Sequence, residues 1–197
     1  MNKKFLAMAL ALVLLIGGVV SGSLAWLTDK TDAVENTFTQ SNIDIELNET
    51  KPEEYTAKMI PGWTIEKDPY VIVKANSEKC YVFVDIDESA NFDEYMTYSV
   101  DLGWTQLEVD KDGKDISAEL IYYREVDFSA TDTEELYILD GNKVTVNTAV
   151  NKDMMDALAN GTTTKPTLEF TAYAVQYWTA KDTTWASPAA AWAEASN

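Results

Sequence analysis

The stretch Cys80-Tyr81-Val82-Phe83-Val84-Asp85-Ile86 decides the fold of this chain. It is apolar at odd and even positions alike, and most of its residues are β-branched or aromatic, the types enriched in strands. A run that is apolar on both faces is expected for a central strand of a sandwich. Val71-Ile72-Val73, which precedes it, has the same character. We therefore place both runs at the centre of a β-structure.

Further strand patterns lie on both sides of this centre. They are Ile43-Asp44-Ile45-Glu46-Leu47, Trp104 to Val109, Ala118 to Phe128, Val144-Thr145-Val146 and Leu168 to Trp178, the longest. The first alternates apolar and acidic residues, which is the period of a half-buried strand. Asp110 to Asp115 separates the second from the third and predicts a hairpin. Glycines fall between the patterned segments, so the sequence predicts short strands joined by turns.

Two short helices are predicted in the last third of the chain. Asn151 to Asn160 carries apolar residues on one side and stops at Gly161, a residue type that commonly follows a helix. Ser187-Pro188 predicts an N-cap and first turn for a helix over Ala189 to Ala195. Short strands with regular turns and one or two short helices indicate a mainly all-β, antiparallel sandwich.

The composition excludes several classes of function. The 197 residues include 33 acidic and 15 basic ones, one cysteine and no histidine, giving a net charge of −18. An acidic chain lacks the clustered lysine and arginine that track nucleic-acid phosphates. Without histidine it has no catalytic imidazole and no imidazole zinc ligand, and one thiol builds neither a disulfide nor a multi-cysteine metal site. We expect no enzyme activity, no cofactor and no nucleic-acid partner.

Residues 1–25 have the pattern of a secretory signal peptide. Lys3 and Lys4 precede the uncharged apolar run from Phe5 to Val20. Ser23 and Ala25 supply the small residues at positions −3 and −1, so cleavage is expected between Ala25 and Trp26. The alternative is an uncleaved membrane anchor, although the run is shorter than the roughly 20 residues that span a bilayer. Cleavage would remove only the two lysines among charged residues, so the secreted chain would carry −20.

Three groups of side chains admit a functional interpretation beside a structural one. Asp110, Asp112 and Asp115 surround Gly113 and suggest a calcium loop, but they lack the spacing of an EF-hand and suit a solvated hairpin tip.

Asp85, Asp87 and Glu88 form either an acid/base group or the end of a strand entering solvent; we favour the second. The six tryptophans (26, 63, 104, 178, 185 and 192) form either a sugar-stacking platform or, as we expect, core residues with one or two interface anchors. Cys80, inside the central apolar run, is interpreted as a buried small hydrophobe.

Nearly the whole chain resembles a known family, most specifically over residues 17–62. The junction Ser23-Leu24-Ala25-Trp26-Leu27-Thr28-Asp29 is followed by Asn36-Thr37-Phe38-Thr39, by Asn42-Ile43-Asp44-Ile45 and by the turn Met59-Ile60-Pro61-Gly62. This order is similar to the TasA/camelysin (CalY) family of Firmicutes, whose precursors are cut by the signal peptidase SipW. The resemblance implies a jelly-roll-like β-sandwich exported to the cell surface. Camelysins carry a metallopeptidase label, but this chain has no His-Glu-x-x-His motif, so proteolysis is not carried over.

The same resemblance implies assembly. In TasA-like proteins subunits polymerise into biofilm matrix fibres, and the N-terminal segment of one subunit pairs with the next. Here residues 26–38 precede the sandwich domain of residues 39–197 and carry the spaced apolar residues Trp26, Leu27, Val34 and Phe38. Such a segment suits strand addition to a neighbour's sheet edge. A frayed terminus is the alternative.

We expect an exported structural protein, a subunit or accessory of matrix fibres. Its partners would be copies of itself, a SipW-like signal peptidase and other matrix proteins, and it would meet the membrane only through the uncleaved signal peptide. The alternative is a monomeric extracellular binding module for carbohydrate or a protein partner.

Overall fold

The computed structural model describes residues 42–50, 59–127 and 134–197. The predicted signal peptide, its cleavage residues Ser23, Ala25 and Trp26, and the candidate donor segment 26–38 lie outside the described residues. Within the described ranges, no helix has the length and apolar character needed to cross a membrane.

Twelve strands are described, and every pairing between them is antiparallel. Their bounds are β1 Ile45–Asn48, β2 Thr64–Glu66, β3 Tyr70–Val73, β4 Cys80–Glu88, β5 Met96–Thr97, β6 Thr105–Gln106, β7 Ile121–Val126, β8 Glu134–Tyr137, β9 Lys143–Val146, β10 Leu168–Gln176, β11 Trp178–Ala180 and β12 Thr183–Thr184. They form sheets in the orders β10-β4-β7-β6, β1-β3-β8, β2-β9-β5 and β11-β12. The predicted mainly-β, antiparallel sandwich class is confirmed.

Strand β4 has the central place that its sequence predicts. It pairs with β10 on one side and β7 on the other, and Cys80 to Val84 are buried without interruption. Alternate side chains enter two different cores, because successive residues of a strand point to opposite faces. Cys80, Val82, Val84 and Ile86 join the larger core, which lies between the four-stranded sheet and the two three-stranded sheets.

Tyr81 and Phe83 enter a smaller core on the other face of the four-stranded sheet. A C-terminal helix covers this face through Ala189, Ala191 and Trp192. The Trp192 ring lies 5.3 Å from that of Phe83, between ring centroids. The four-stranded sheet is therefore covered on both faces.

Three short α-helices are described, one more than the sequence predicted. They are α1 (Phe92–Tyr95), α2 (Lys152–Ala159) and α3 (Pro188–Ala195). Both predicted helices form, with the side chains of Asn151 and Ser187 accepting backbone N–H groups as N-caps. The unpredicted α1 has only four residues and no side-chain cap, and it buries Phe92 and Tyr95 in the larger core. Tertiary burial rather than local propensity accounts for it.

Several predicted strands are shorter than their sequence patterns. The pattern from Trp104 to Val109 forms a strand only at Thr105–Gln106, and the pattern from Ile43 to Leu47 becomes β1 only at Ile45. The segment predicted as a strand from Ala118 begins only at Ile121, because residues 117–119 form a 3-10 turn and Leu120 takes a left-handed conformation with φ of 50°. The predicted Leu168–Trp178 strand divides after Gln176, and Trp178 begins β11 instead. The hairpin predicted at Asp110–Asp115 is confirmed. The strands on its two sides, β6 and β7, pair with each other, and a bridge joins Val109 to Asp115.

Candidate functional site

The outer side of β10 is a sheet edge with no paired strand among the described residues, although β1, the edge strand of another sheet, lies close to β10. β10 is the last strand of its sheet and pairs only with β4. At its two ends, Ser89 N donates to Thr167 O (3.1 Å) and Tyr177 N donates to Lys79 O (2.9 Å). Odd-numbered residues of β10 therefore direct their backbone groups toward β4, since these directions alternate along an antiparallel ladder. Even-numbered residues direct theirs outward.

Four successive outward positions define what we call the open edge: Leu168, Phe170, Ala172 and Ala174. At the next one, Gln176, the carbonyl oxygen accepts from Trp185 Nε1 at 2.7 Å, which closes that end. No described strand pairs with the other four. An unpaired row of N–H and C=O groups is a template for another strand. The nine residues of β10 span about 30 Å, more than enough for a donated strand of roughly 5–6 residues.

The side chains of β10 are only partly covered. Six of its nine residues are apolar, yet none is fully buried, whereas neighbouring β4 is almost wholly buried. Phe170 and Ala172 lie at the rim of the larger core, and Tyr173 and Val175 lie at the rim of the smaller one. A strand added beside β10 would thus extend both cores.

The other edge strands suit strand addition less well. They have two to four residues each. β8 places Glu134 and Glu135 next to each other, and the salt bridge of Glu46 with Lys74 lies on β1. Charged side chains and short length are the usual means by which proteins block an edge. β10 carries one charged residue, Glu169, in nine.

A second candidate site is an acidic depression of ≈ 620 Å³ at the end of β4. Six carboxylates line it: Asp85, Asp87, Glu88, Asp93, Glu119 and Glu169. Among the described residues, no lysine or arginine lines this depression. The first three lie in the last four residues of β4, where burial decreases, in agreement with the predicted strand end entering solvent.

The carboxylates of this depression are not equivalent. Burial raises the pKa of Asp85 above its usual value, and the nearby charges of Asp87 and Glu119 raise it further. Glu88 accepts a hydrogen bond from the Tyr98 hydroxyl at 2.5 Å. Asp87 lies directly opposite Glu169 across the β4–β10 pair, a like-charged pairing that destabilises a sheet. The described residues hold no group of three metal-ligating side chains placed to bind an ion.

The Asp110–Asp115 loop has the hairpin-tip geometry that the sequence analysis favoured over calcium binding. Asp110 Oδ1 accepts from the backbone N–H groups of Asp112 and Lys114, both at 2.9 Å. Asp115 Oδ1 accepts from the backbone N–H and the hydroxyl of Ser117. These hydrogen bonds hold the pKa of both carboxyl groups below the usual value. The acidic residues at this tip thus stabilise turns.

The described tryptophans divide between core and surface. Trp104 is buried, with Nε1 donating to Tyr137 O at 2.8 Å, and Trp192 packs in the smaller core together with partly buried Trp185. Trp63 and Trp178 are 62% and 46% exposed. Trp26 lies outside the described residues.

Cys80 is buried, as predicted. Burial raises the pKa of its thiol to about 11, so the thiol stays protonated at neutral pH and is unreactive.

The open edge was not among the predicted site residues. The predicted interface of Trp26, Leu27, Val34 and Phe38 describes only the donor side, and those residues lie outside the described ranges. The weak burial of β10 has no sequence signal, because its apolar content is similar to that of a central strand. Comparison with protein-family models, with curated proteins and with solved structures found no match to this chain.

Proposed function

We propose that this protein is an exported structural subunit that assembles into extracellular matrix fibres by β-strand donation. The observation that carries the proposal is the open edge of β10, which is long, nearly uncharged and unpaired among the described residues. Residues 26–38 of another copy would supply the strand, with Trp26 and Leu27 or Val34 and Phe38 extending the two cores. Each subunit then has one donor and one acceptor, so the contact is head-to-tail and grows as an open fibre.

Export is the first step of this function. A SipW-like signal peptidase would cut after Ala25, and the secreted chain would begin at Trp26 with its donor segment free. The role is structural and needs no catalytic group or cofactor. N-terminal sequencing of secreted protein tests the cleavage position, and a start several residues downstream would remove part of the donor.

The acceptor is tested by Ala172→Pro. Proline lacks an N–H group, and Ala172 directs its N–H away from β4. The substitution therefore removes one N–H group from the open edge and leaves the hydrogen bonds between β4 and β10 intact. We expect a folded monomer that forms no fibres. Thr171→Pro is the matched control, because its N–H points toward β4 and its loss should destabilise the fold itself.

Mixing experiments test donor and acceptor together. A chain lacking residues 26–35 keeps the acceptor and loses the donor, whereas Ala172→Pro keeps the donor and loses the acceptor. Each alone should stay monomeric, and an equimolar mixture should form heterodimers and nothing larger in sedimentation velocity. Fibres of unchanged diameter from either variant, seen by negative-stain microscopy, would contradict strand donation at this edge.

The alternative function is a monomeric extracellular binding module for carbohydrate or a protein partner. Dispersed monomers of the intact secreted chain under all conditions would favour that alternative.

A further inference from the structure

The hairpin of β11 and β12 carries a partly exposed aromatic ring, that of Trp178, which packs against a second aromatic ring. Trp178 is 46% exposed, and its ring packs edge-on against Tyr177 with centroids 5.1 Å apart at 81°. Tyr177 in turn lies 5.3 Å from Tyr81, a residue of the smaller core, and 3.9 Å from Lys79 Nζ. The exposed ring is thus held in place before any ligand arrives, which reduces the ordering cost of binding.

The chain segment that carries Trp178 is close to neutral in a strongly acidic protein, although Lys79, paired with Glu125 and Asp127, lies beside the neighbouring Tyr177 ring. Residues 170–193 contain one acidic and one basic residue, Asp182 and Lys181, while the whole chain carries −18. A nucleic acid or an acidic polymer would be repelled by the rest of the molecule. A basic partner would be drawn to the acidic depression rather than to this hairpin. An uncharged ligand fits the local surface.

The same hairpin carries three threonine hydroxyls, and Thr184 lies directly opposite Trp178 in the β11–β12 pair. Thr179, Thr183 and Thr184 are exposed, and their hydroxyls donate to the backbone oxygens of Thr183, Lys181 and Trp185, respectively. Because each proton is engaged within the hairpin, each hydroxyl oxygen keeps its lone pairs as acceptors. The hairpin therefore offers one aromatic surface with a hydrogen-bond acceptor, the Thr184 hydroxyl, on the facing strand.

A sugar ring has the matching chemistry. Its apolar face carries C–H groups with partial positive charge, which are attracted to the negative face of an indole, and its hydroxyls donate hydrogen bonds. We propose that the β11–β12 hairpin binds an uncharged polysaccharide, with one sugar ring stacked on Trp178 and a sugar hydroxyl donating to Thr184. This site uses residues other than the open edge, so it is independent of strand donation.

Affinity electrophoresis tests the proposal on the secreted full-length chain. Native gels are cast with one neutral polymer each: hydroxyethyl cellulose, glucomannan, dextran or galactomannan. We expect at least one polymer to retard the protein, and Trp178→Ala to weaken that retardation about tenfold in apparent affinity. Because the ligand is uncharged, retardation should be insensitive to salt.

Trp63→Ala is the matched control. Trp63 is more exposed than Trp178 but makes no ring contact with any described residue, so its loss should leave retardation unchanged. Retardation by none of the four polymers would overturn the proposal, as would equal retardation of wild type and Trp178→Ala. A Trp178→Ala effect seen only on self-association, by sedimentation velocity without polymer, would assign the hairpin to a contact between copies and also overturn it.

Discussion

Asp85 shows at the scale of one residue how the strongly acidic composition destabilises the fold locally. Its pKa is raised by burial and by Asp87 and Glu119, so its charged form is less favourable in the folded than in the unfolded chain. At neutral pH the charge on Asp85 lowers the free energy of unfolding. This destabilisation decreases as the pH falls through the raised pKa, because Asp85 then becomes protonated. Asp85→Asn should therefore be more stable than wild type at pH 7, by less than about 1 kcal/mol because the site is partly solvated.

Urea unfolding at several pH values measures this effect. The advantage of Asp85→Asn should shrink as the pH is lowered from 7 toward 4, because wild-type Asp85 then becomes protonated. Asp110→Asn is a control of opposite sign, since backbone donors hold the pKa of Asp110 below its usual value. A pH-independent difference between Asp85→Asn and wild type would contradict the assigned shift.

Helix α3 shows at the scale of an element how a local signal supports a core. The Ser187 hydroxyl accepts from Ala190 N at 3.2 Å, and the helix brings Ala189, Ala191 and Trp192 onto the smaller core. Ser187→Ala should lower the free energy of unfolding by about 1 kcal/mol, because a helix N-terminal N–H loses its partner. Ser196→Ala, at the exposed C-terminal end, should change it by less than about 0.5 kcal/mol. Equal effects in urea unfolding would show that the cap contributes nothing.

Elements with a strong local pattern could be predicted, and those that depend on distant contacts could not. Strand β4, which is apolar on both faces, and the capped helices α2 and α3 could be predicted from residues that are neighbours in the sequence. The four-residue helix α1 forms because Phe92 and Tyr95 reach the larger core. The sequence of β10 gives its strand character but not its place at an edge, because strand order depends on the whole topology. The candidate site was missed for that reason.

At the scale of the whole molecule, the described structure divides charge unevenly. The acidic depression collects six carboxylates, while the open edge and the β11–β12 hairpin carry few charges. Like-charged subunits repel one another over distances comparable to the Debye length. The nearly neutral surfaces are therefore those where approach of another copy is least opposed. The proposed assembly at β10 would rest on backbone pairing and apolar contact, neither of which needs charge.

This division predicts how salt affects fibre growth. In the proposed assembly, two secreted subunits of net charge −20 would have to approach before residues 26–38 of one could reach β10 of the other. Raising ionic strength from about 0.01 M to about 0.1 M shortens the Debye length from about 30 Å to about 10 Å. The lag before light scattering rises should then shorten, because repulsion is screened while backbone hydrogen bonds are not. Sucrose at equal osmolarity is the control and should not reproduce the effect. If salt instead lengthens the lag or dissolves formed fibres, ion pairs between subunits hold the fibre together, and strand donation at an uncharged edge is the wrong mechanism.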